Sequence, residues 1–240
     1  MIDKNSPIPI YYQLEEKIKT QIDQGELQPG DMLPSEREYA SHYAISRMTV
    51  RQAITKLVND GYVYRKKGTG TFVAAKKIDQ PLQGLTSFTE DMKARGMVAT
   101  NRLIHFKVMS PPLPVMKALN IDSSTPVYEI QRVRLADGLP MALETTYISK
   151  RLIPDITEEL LERSLYDYVE NSLGKEIGEG TQIIESSTVN QNEITHLNVK
   201  KGAPVLLIER HTYLKDGTPL ELVKSSYRAD RYRFMINMQR

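Results

Sequence analysis

No cysteine occurs anywhere in the 240 residues, which removes disulfides, thiolate zinc sites and cysteine nucleophiles together. No stretch approaches the ~18 consecutive apolar residues of a membrane span, and no early apolar run resembles a signal peptide. The expectation is a cytoplasmic chain with no membrane partner. Histidine is also sparse, with four residues, His42, His105, His196 and His211, spaced too irregularly for a metal-ligand cluster. Neither a phosphate loop nor a nucleophile with a base at recognisable spacing is present. Glu144 could in principle serve as a general base, but one unpaired carboxylate defines no reaction. These absences point away from an enzyme and leave no expected cofactor or metal.

What is present is unevenly distributed. The whole chain carries a formal charge of only +2. Between residues 47 and 77, however, there are eight Lys or Arg and one acid, Asp60, a net of +7, so the other residues must net −5. A local patch of that sign is what a phosphate backbone would feel. The length suits one large domain or two ordinary ones.

The patch overlaps residues 33–61, LPSEREYASHYAISRMTVRQAITKLVNDG. Val50, Ala53, Ile54, Leu57 and Val58 fall at i, i+3, i+4, i+7 and i+8, so all five share one face of a helix. Arg47, Arg51 and Thr55 lie off that face. Ser46 suits the helix N-cap, accepting from a backbone N–H near Thr49, and Gly61 suits its end. Ser35 with Glu38 forms a capping box for a preceding helix, which places a tight turn near residues 43–45. Beyond Gly61, two short strand-like runs, residues 62–65 and 71–73, flank the basic tip Arg65-Lys66-Lys67-Gly68-Thr69-Gly70. Helix, helix and hairpin wing make a winged helix-turn-helix, which presents its second helix to the DNA major groove. The bland alternative is an amphipathic pair with a solvated charged face. Upstream, Pro9 suits a first helical turn, and Ile10, Leu14, Ile18 and Ile22 recur every four residues until Gly25. Residues 1–74 are therefore expected to form the DNA-binding domain, with the polar run 75–83 as a linker.

From residue 84 to residue 240 the pattern changes to longer strands separated by helices, and it repeats. Leu119-Asn120-Ile121, Pro126-Val127, Asp137-Gly138 and Pro140 are matched seventy-eight residues later by Leu197-Asn198-Val199 and Pro204-Val205, then by Asp216-Gly217 and Pro219. Each copy reads as a short helix before a β-hairpin whose Asp-Gly suits a type I′ turn. One sheet assembled from two related halves follows, with a cleft where they face each other. Arg132 and Arg134, two apart on a strand, project to one face. Two adjacent guanidiniums repel unless something anionic lies between them, and Arg suits a bidentate grip on phosphate or carboxylate. The alternative is a solvent-facing edge, or salt bridges with Glu144 or Glu221. Ser87-Phe88-Thr89 and Ser164 with Tyr166 lie near helix starts, where ordinary capping competes with anion binding.

Several of these stretches coincide with a known family. Pro7-Ile8-Pro9-Ile10-Tyr11-Tyr12-Gln13, Gly25-Glu26-Leu27-Gln28-Pro29-Gly30, Leu33-Pro34-Ser35-Glu36-Arg37, Ser46-Arg47-Met48-Thr49-Val50-Arg51 and Gly70-Thr71-Phe72-Val73, in this order, resemble the DNA-binding domain of GntR-type bacterial transcription regulators. Gly84-Leu85-Thr86-Ser87-Phe88-Thr89-Glu90-Asp91-Met92, Ser164-Leu165-Tyr166-Asp167 and Ser226-Tyr227-Arg228-Ala229-Asp230-Arg231-Tyr232 are similar to the effector domain of the HutC subfamily, in its branch for N-acetylglucosamine utilisation. The resemblance implies an α+β chain, its winged helix-turn-helix joined to a chorismate-lyase-like (UTRA) α/β effector-binding domain with an antiparallel sheet. It also implies a homodimer on a palindromic double-stranded DNA operator, and an aminosugar phosphate as effector. By that analogy Ser35, Arg37, Ser46, Arg47, Thr49, Arg51, Lys66, Lys67 and Gly68 belong to the DNA-binding set, the residues matching Arg37, Arg47 and Arg51 meeting phosphates or guanine edges and Gly68 entering the minor groove. Ser87, Phe88, Thr89, Arg132, Arg134, Ser164 and Tyr166 would hold the phosphate, and Glu144, Glu221 and Tyr227 the sugar. Another sugar phosphate, or a carboxylate, remains an open alternative. A fold shared with a lyase does not carry its chemistry, and a plain DNA-organising protein would not need a second domain of about 155 residues.

Overall fold

Three helices and a two-stranded ribbon build the N-terminal part of the chain. The computed structural model describes residues 2–74 and 77–238, which divide into two compact units, Met1–Ile78 and Asp79–Arg240. The first contains α1 (Ile10–Asp23), α2 (Glu36–Tyr43), α3 (Arg47–Asn59), β1 (Val63–Lys66) and β2 (Gly70–Val73). Ser35 and Glu38 form the expected capping box at the start of α2, and Ala44, in the left-handed conformation at φ 49°, turns the chain. Ser46 accepts from the Thr49 N–H at 3.0 Å to begin α3, and Gly61, at φ +77°, carries the chain out of it. Val50, Ala53, Ile54 and Leu57 are buried against Leu14 and Ile18 of α1, with Val58 partly buried beside them. Burying each larger side chain contributes about 1.5–3 kcal/mol, so packing fixes the roll of α3 and thereby which residues face outward. β1 and β2 pair antiparallel from Val63↔Val73 to Lys66↔Gly70.

The second unit holds most of β3 (Ile78–Pro81), then α4 (Phe88–Ala94), β4 (Ala99–Met109), α5 (Leu113–Leu119), β5 (Val127–Ala136) and β6 (Leu139–Ser149). After these come α6 (Glu158–Leu161), α7 (Leu165–Asp167), a π-helical turn at Tyr168–Ser172, β7 (Ile177–Thr188), α8 (Gln191–Leu197), β8 (Pro204–Leu214), β9 (Pro219–Arg228) and β10 (Tyr232–Met235). Six strands form one antiparallel sheet in the order β4-β5-β6-β9-β8-β7. This is the sheet of two related halves: β4, α5 and the β5–β6 hairpin are repeated as β7, α8 and the β8–β9 hairpin, and the halves meet at β6–β9. Both α5 and α8 end at an asparagine in the left-handed conformation, Asn120 and Asn198, where the short polar side chain tolerates positive φ.

One expectation is corrected. Asp137 and Gly138 both have positive φ, as a type I′ turn requires, whereas at the second hairpin only Gly217 does. The longer second loop accounts for this: Gly217 N–H bonds Leu214 O at 2.9 Å, so the left-handed residue follows the turn instead of sitting inside it. Within the run 75–83, which is expected to connect the two domains, residues 78–81 form β3, which pairs with β10. A partner so distant in sequence leaves no local periodicity to detect. Ala75 and Lys76 of that run lie outside the described residues.

The two faces of the large sheet differ. One is apolar under α5 and α8, through Val133, Leu143, Val205 and Leu197 on one side and Val127, Leu222, Val115 and Leu119 on the other. The opposite face begins apolar at Tyr128 and Ile130, packed on Ile153, Leu161, Leu165 and Val169. Along the same face of β5 it then continues into Arg132 and Arg134, which are 4% and 3% exposed.

Candidate DNA-binding face and effector pocket

On the first unit, Ser35, Arg37, Ser46, Arg47, Arg51, Lys66, Lys67 and Gly68 are all exposed and Thr49 partly so. The hydroxyls are already committed to local structure: Ser35 caps α2, and Ser46 Oγ lies 2.8 Å from Thr49 Oγ1. Gly68, at φ +75°, occupies the tip between β1 and β2. The cations fall into two groups. Arg37, Arg47, Lys66 and Lys67 have no ion pair among the described residues, whereas Arg51 donates to Glu36 at 3.0 Å. Arg65, absent from the expected set, donates to Thr55 Oγ1 at 3.0 Å and stands 3.6 Å from the same Glu36. One carboxylate at the start of α2 therefore orients cations from α3 and from the wing.

The second unit encloses its charges. Arg132 Nε and Nη2 approach Glu144 Oε1 at 3.0 and 2.9 Å, as expected of residues that face each other across β5 and β6. Arg134 is held less firmly. Its Nη1 is 3.5 Å from Glu144, its Nη2 donates to Thr89 Oγ1 at 3.4 Å, its guanidinium lies 4.8 Å from the Phe88 ring centroid, and its Nε is buried without a partner. The solvent-facing alternative for these arginines is thus excluded, and the Glu144 salt bridge is present. Glu221 has different partners, accepting from Tyr166 OH at 2.8 Å and Thr212 Oγ1 at 3.1 Å.

Electrostatics separate the two carboxylates. Burial alone would raise Glu144, but Arg134, Arg132 and Arg210 bring it down to about 2. At Glu221 burial prevails over Arg210 and the hydroxyl donors, and its carboxyl is pushed up. Burial and the neighbouring Arg132 lower Arg134 to about 10, and burial with Glu144 nearby raises Tyr227 to about 12.

Ser87, Phe88, Arg132, Arg134, Glu144, Ser164, Tyr166 and Glu221 line one pocket. Thr89 reaches it through Arg134, while Tyr227 lines an adjoining cavity of about 280 Å³ bounded by Leu85, Gly180, Gln182 and Tyr232. Phe88, Arg210 and Val223 border both spaces. Arg210 is the residue that sequence reasoning missed, although the repeat pointed to it: it stands seventy-eight positions after Arg132, the offset that relates Leu119 to Leu197. Ser87 and Ser164 also cap α4 and α7, so capping and pocket lining coincide in the same side chains. Among the described residues, no group of three or more His, Asp or Glu side chains is placed to hold a metal, and no helix is long and apolar enough to cross a membrane.

Comparison with known proteins bears on both units. Residues 10–73 match the model of the bacterial regulatory proteins of the gntR family, and residues 94–233 match the UTRA domain. The chain is 49% identical over 239 residues to the HTH-type transcriptional repressor NagR of Bacillus subtilis (strain 168), covering 100% of this chain and 98% of that one. It is 32% identical to the mannosyl-D-glycerate transport/metabolism system repressor MngR of Escherichia coli (strain K12), covering 97% of each. Among solved structures, PhnF from Mycobacterium smegmatis superposes with a TM-score of 0.65 at 31% identity, covering 95% of this chain and 98% of that one.

Proposed function

This chain belongs to the gntR family of bacterial regulatory proteins, with a UTRA domain following its winged helix, and from that premise we propose that it represses aminosugar utilisation genes under the control of a sugar phosphate. Its relatives and fold are those of DNA-binding transcription regulators, not of enzymes. In this proposal residues 1–74 bind DNA, residues 84–240 bind effector and form a symmetric dimer, and residues 75–83 connect them. Two heads meet the half-sites of a palindrome, about one helical turn apart or a little more. Arg51 or Arg47 reads guanine in the major groove, Arg37, Lys66 and Lys67 neutralise phosphates, and Gly68 approaches the minor groove.

The observation that carries the effector half is the pocket around Arg132 and Arg134: two buried arginines share one carboxylate oxygen, and a buried donor is left unpartnered. A buried cation without full compensation is costly, and an anion offsets that cost. Ser87, Thr89, Ser164 and Tyr166 add hydroxyls for a phosphate, and the sugar is met by Glu144 and Glu221 of the same pocket and by Tyr227 of the adjoining cavity. Glucosamine 6-phosphate and N-acetylglucosamine 6-phosphate fit this chemistry, and the resemblance to NagR favours them.

A thermal-shift panel tests the assignment. An effector that binds only the folded chain at a hundred times its Kd adds about 2.7 kcal/mol. The melting temperature is expected to rise with an aminosugar phosphate, to stay unchanged with the parent sugar, and to lose its response in Arg132→Ala and Arg134→Ala. No rise with any sugar phosphate would remove the sugar assignment and favour a carboxylate effector.

A further inference from the structure

Arg210 is unlike the other two arginines of the pocket. Arg132 is clasped by Glu144, and Arg134 is held by Glu144, Thr89 and the Phe88 ring. Arg210 has no ion pair among the described residues; its Nη1 reaches Thr86 O at only 3.4 Å, and its guanidinium lies 5.9 Å from the Tyr166 ring centroid. Its Nε is fully enclosed and has no hydrogen-bond partner. Glu221, which lines the same pocket, is hydrogen-bonded by the hydroxyls of Tyr166 and Thr212. Arg210 also borders both the arginine pocket and the 280 Å³ cavity, so its free donors stand where the two spaces meet.

The sheet explains the convergence. Arg132 on β5 and Arg210 on β8 hold equivalent places in the two halves, and the row Arg132, Glu144, Ser225 and Ile208 is in register across four strands. Arg210, two residues beyond Ile208, projects from the same face. Internal repetition has placed an arginine on each side of one cleft, but a carboxylate clasps only the first.

We propose that Arg210 is a third anion-binding residue of this site, and that the three arginines together select a doubly charged phosphomonoester over singly charged carboxylates and sulfate esters. This rests on the reading of the pocket as the effector site. Three guanidiniums and two carboxylates line the pocket; Glu144 is paired with arginine and Glu221 is bonded to hydroxyls, so guanidinium charge is in excess. Burial pushes the Glu221 carboxyl up from its ordinary value, the direction that adds to that excess. At low effective dielectric the second charge of a phosphate gains more from this excess than it would in water.

Isothermal titration of the full-length chain tests the inference at pH 8, where a phosphomonoester is largely dianionic and a sulfate ester carries one charge. The ligands are N-acetylglucosamine 6-phosphate, N-acetylglucosamine 6-sulfate, methyl phosphate and methyl sulfate. The wild type is expected to prefer phosphate to sulfate by at least about tenfold, the equivalent of ~1.4 kcal/mol. Arg210→Gln should shrink that preference several-fold, chiefly by weakening the phosphate ester. Arg210→Lys, which keeps the charge and loses the planar fork, should fall between the two, and it carries the test if the Gln variant does not fold. An unchanged preference in Arg210→Gln, or unchanged phosphate affinity in Arg210→Lys, would overturn the role of Arg210 while leaving the sugar-phosphate reading intact. Preference for methyl phosphate over methyl sulfate without binding of either sugar ester would support the anion site and remove the sugar. Binding of no phosphate ester by the wild type would overturn both.

Discussion

The two units use arginine in opposite ways. On the winged helix Arg37, Arg47, Arg51, Arg65, Lys66 and Lys67 are exposed, lie within some thirty residues of one another in sequence, and either have no ion pair among the described residues or are joined to one shared carboxylate, Glu36. In the UTRA domain Arg132 and Arg134 are almost fully enclosed and share Glu144, and Arg210 comes from the other half of a sheet. Exposed charge costs little to keep and is available to a polyanion of any sequence, with salt screening its pull. Enclosed charge must be compensated at every stage, so it is tied to folding as well as to binding. Substitutions in the head should therefore act on DNA affinity with little effect on stability, whereas substitutions in the pocket should act on both.

The largest expected effect is at Glu144. Glu144→Ala leaves two arginines enclosed without their carboxylate, and the second domain should lose about 3–5 kcal/mol of stability, read by denaturant unfolding. A loss near that of an ordinary surface substitution would break the contrast between the units. In the head, Arg51→Ala should weaken binding to a selected operator by roughly 5- to 150-fold and relax its sequence preference, with the melting temperature unchanged. Competition binding checks the preference, and a variant that discriminates as the wild type does would refute Arg51 as a base reader. Smaller still, Lys66→Ala with Lys67→Ala should weaken binding evenly across sequences and reduce the slope of log K against log salt by about 2. A wild-type slope would place both lysines off the phosphate backbone.

The most delicate effect belongs to Glu221, which faces Arg210, Tyr166, Thr212 and, at longer range, Glu144. Burial raises its folded-state pKa above the unfolded value, so its contribution is fully present below the ordinary carboxylate range and is lost as pH rises through the raised value. Glu221→Gln removes that loss. The melting temperature of the variant relative to wild type should rise between pH 5 and pH 8, and a difference that is flat or falling would contradict the raised pKa.

The same contrast explains what the sequence could reveal. The head was legible because its determinants are local: Ser35 and Glu38, the Val50–Leu57 stripe, Ser46 and Gly61 act within one or two helical turns, and the structure places each as its spacing predicts. In the pocket, the alternation of Arg132 and Arg134 and the opposed Glu144 could be read from one hairpin. Ser164 and Tyr166 could be read as lying near a helix start, but their assignment to the phosphate came through family resemblance, because nothing local shows that a three-residue helix closes over a distant sheet. Arg210 was available from the repeat, but only by carrying one half's chemistry onto the other. The turn at Asp216 and the β3–β10 pairing depended on loop length and on a distant strand, neither of which periodicity records.

The central claim is that the arginine pocket governs the DNA-binding head, and operator affinity with and without effector tests it most directly. A duplex selected by the protein from a random pool would be titrated by fluorescence anisotropy, without ligand and with saturating glucosamine 6-phosphate or N-acetylglucosamine 6-phosphate, for wild type and Arg134→Ala. A coupling of about 1–3 kcal/mol, or 5- to 150-fold in operator Kd, is expected in the wild type and should vanish in the variant. An unchanged wild-type Kd, at effector concentrations that saturate the thermal shift, would contradict the account.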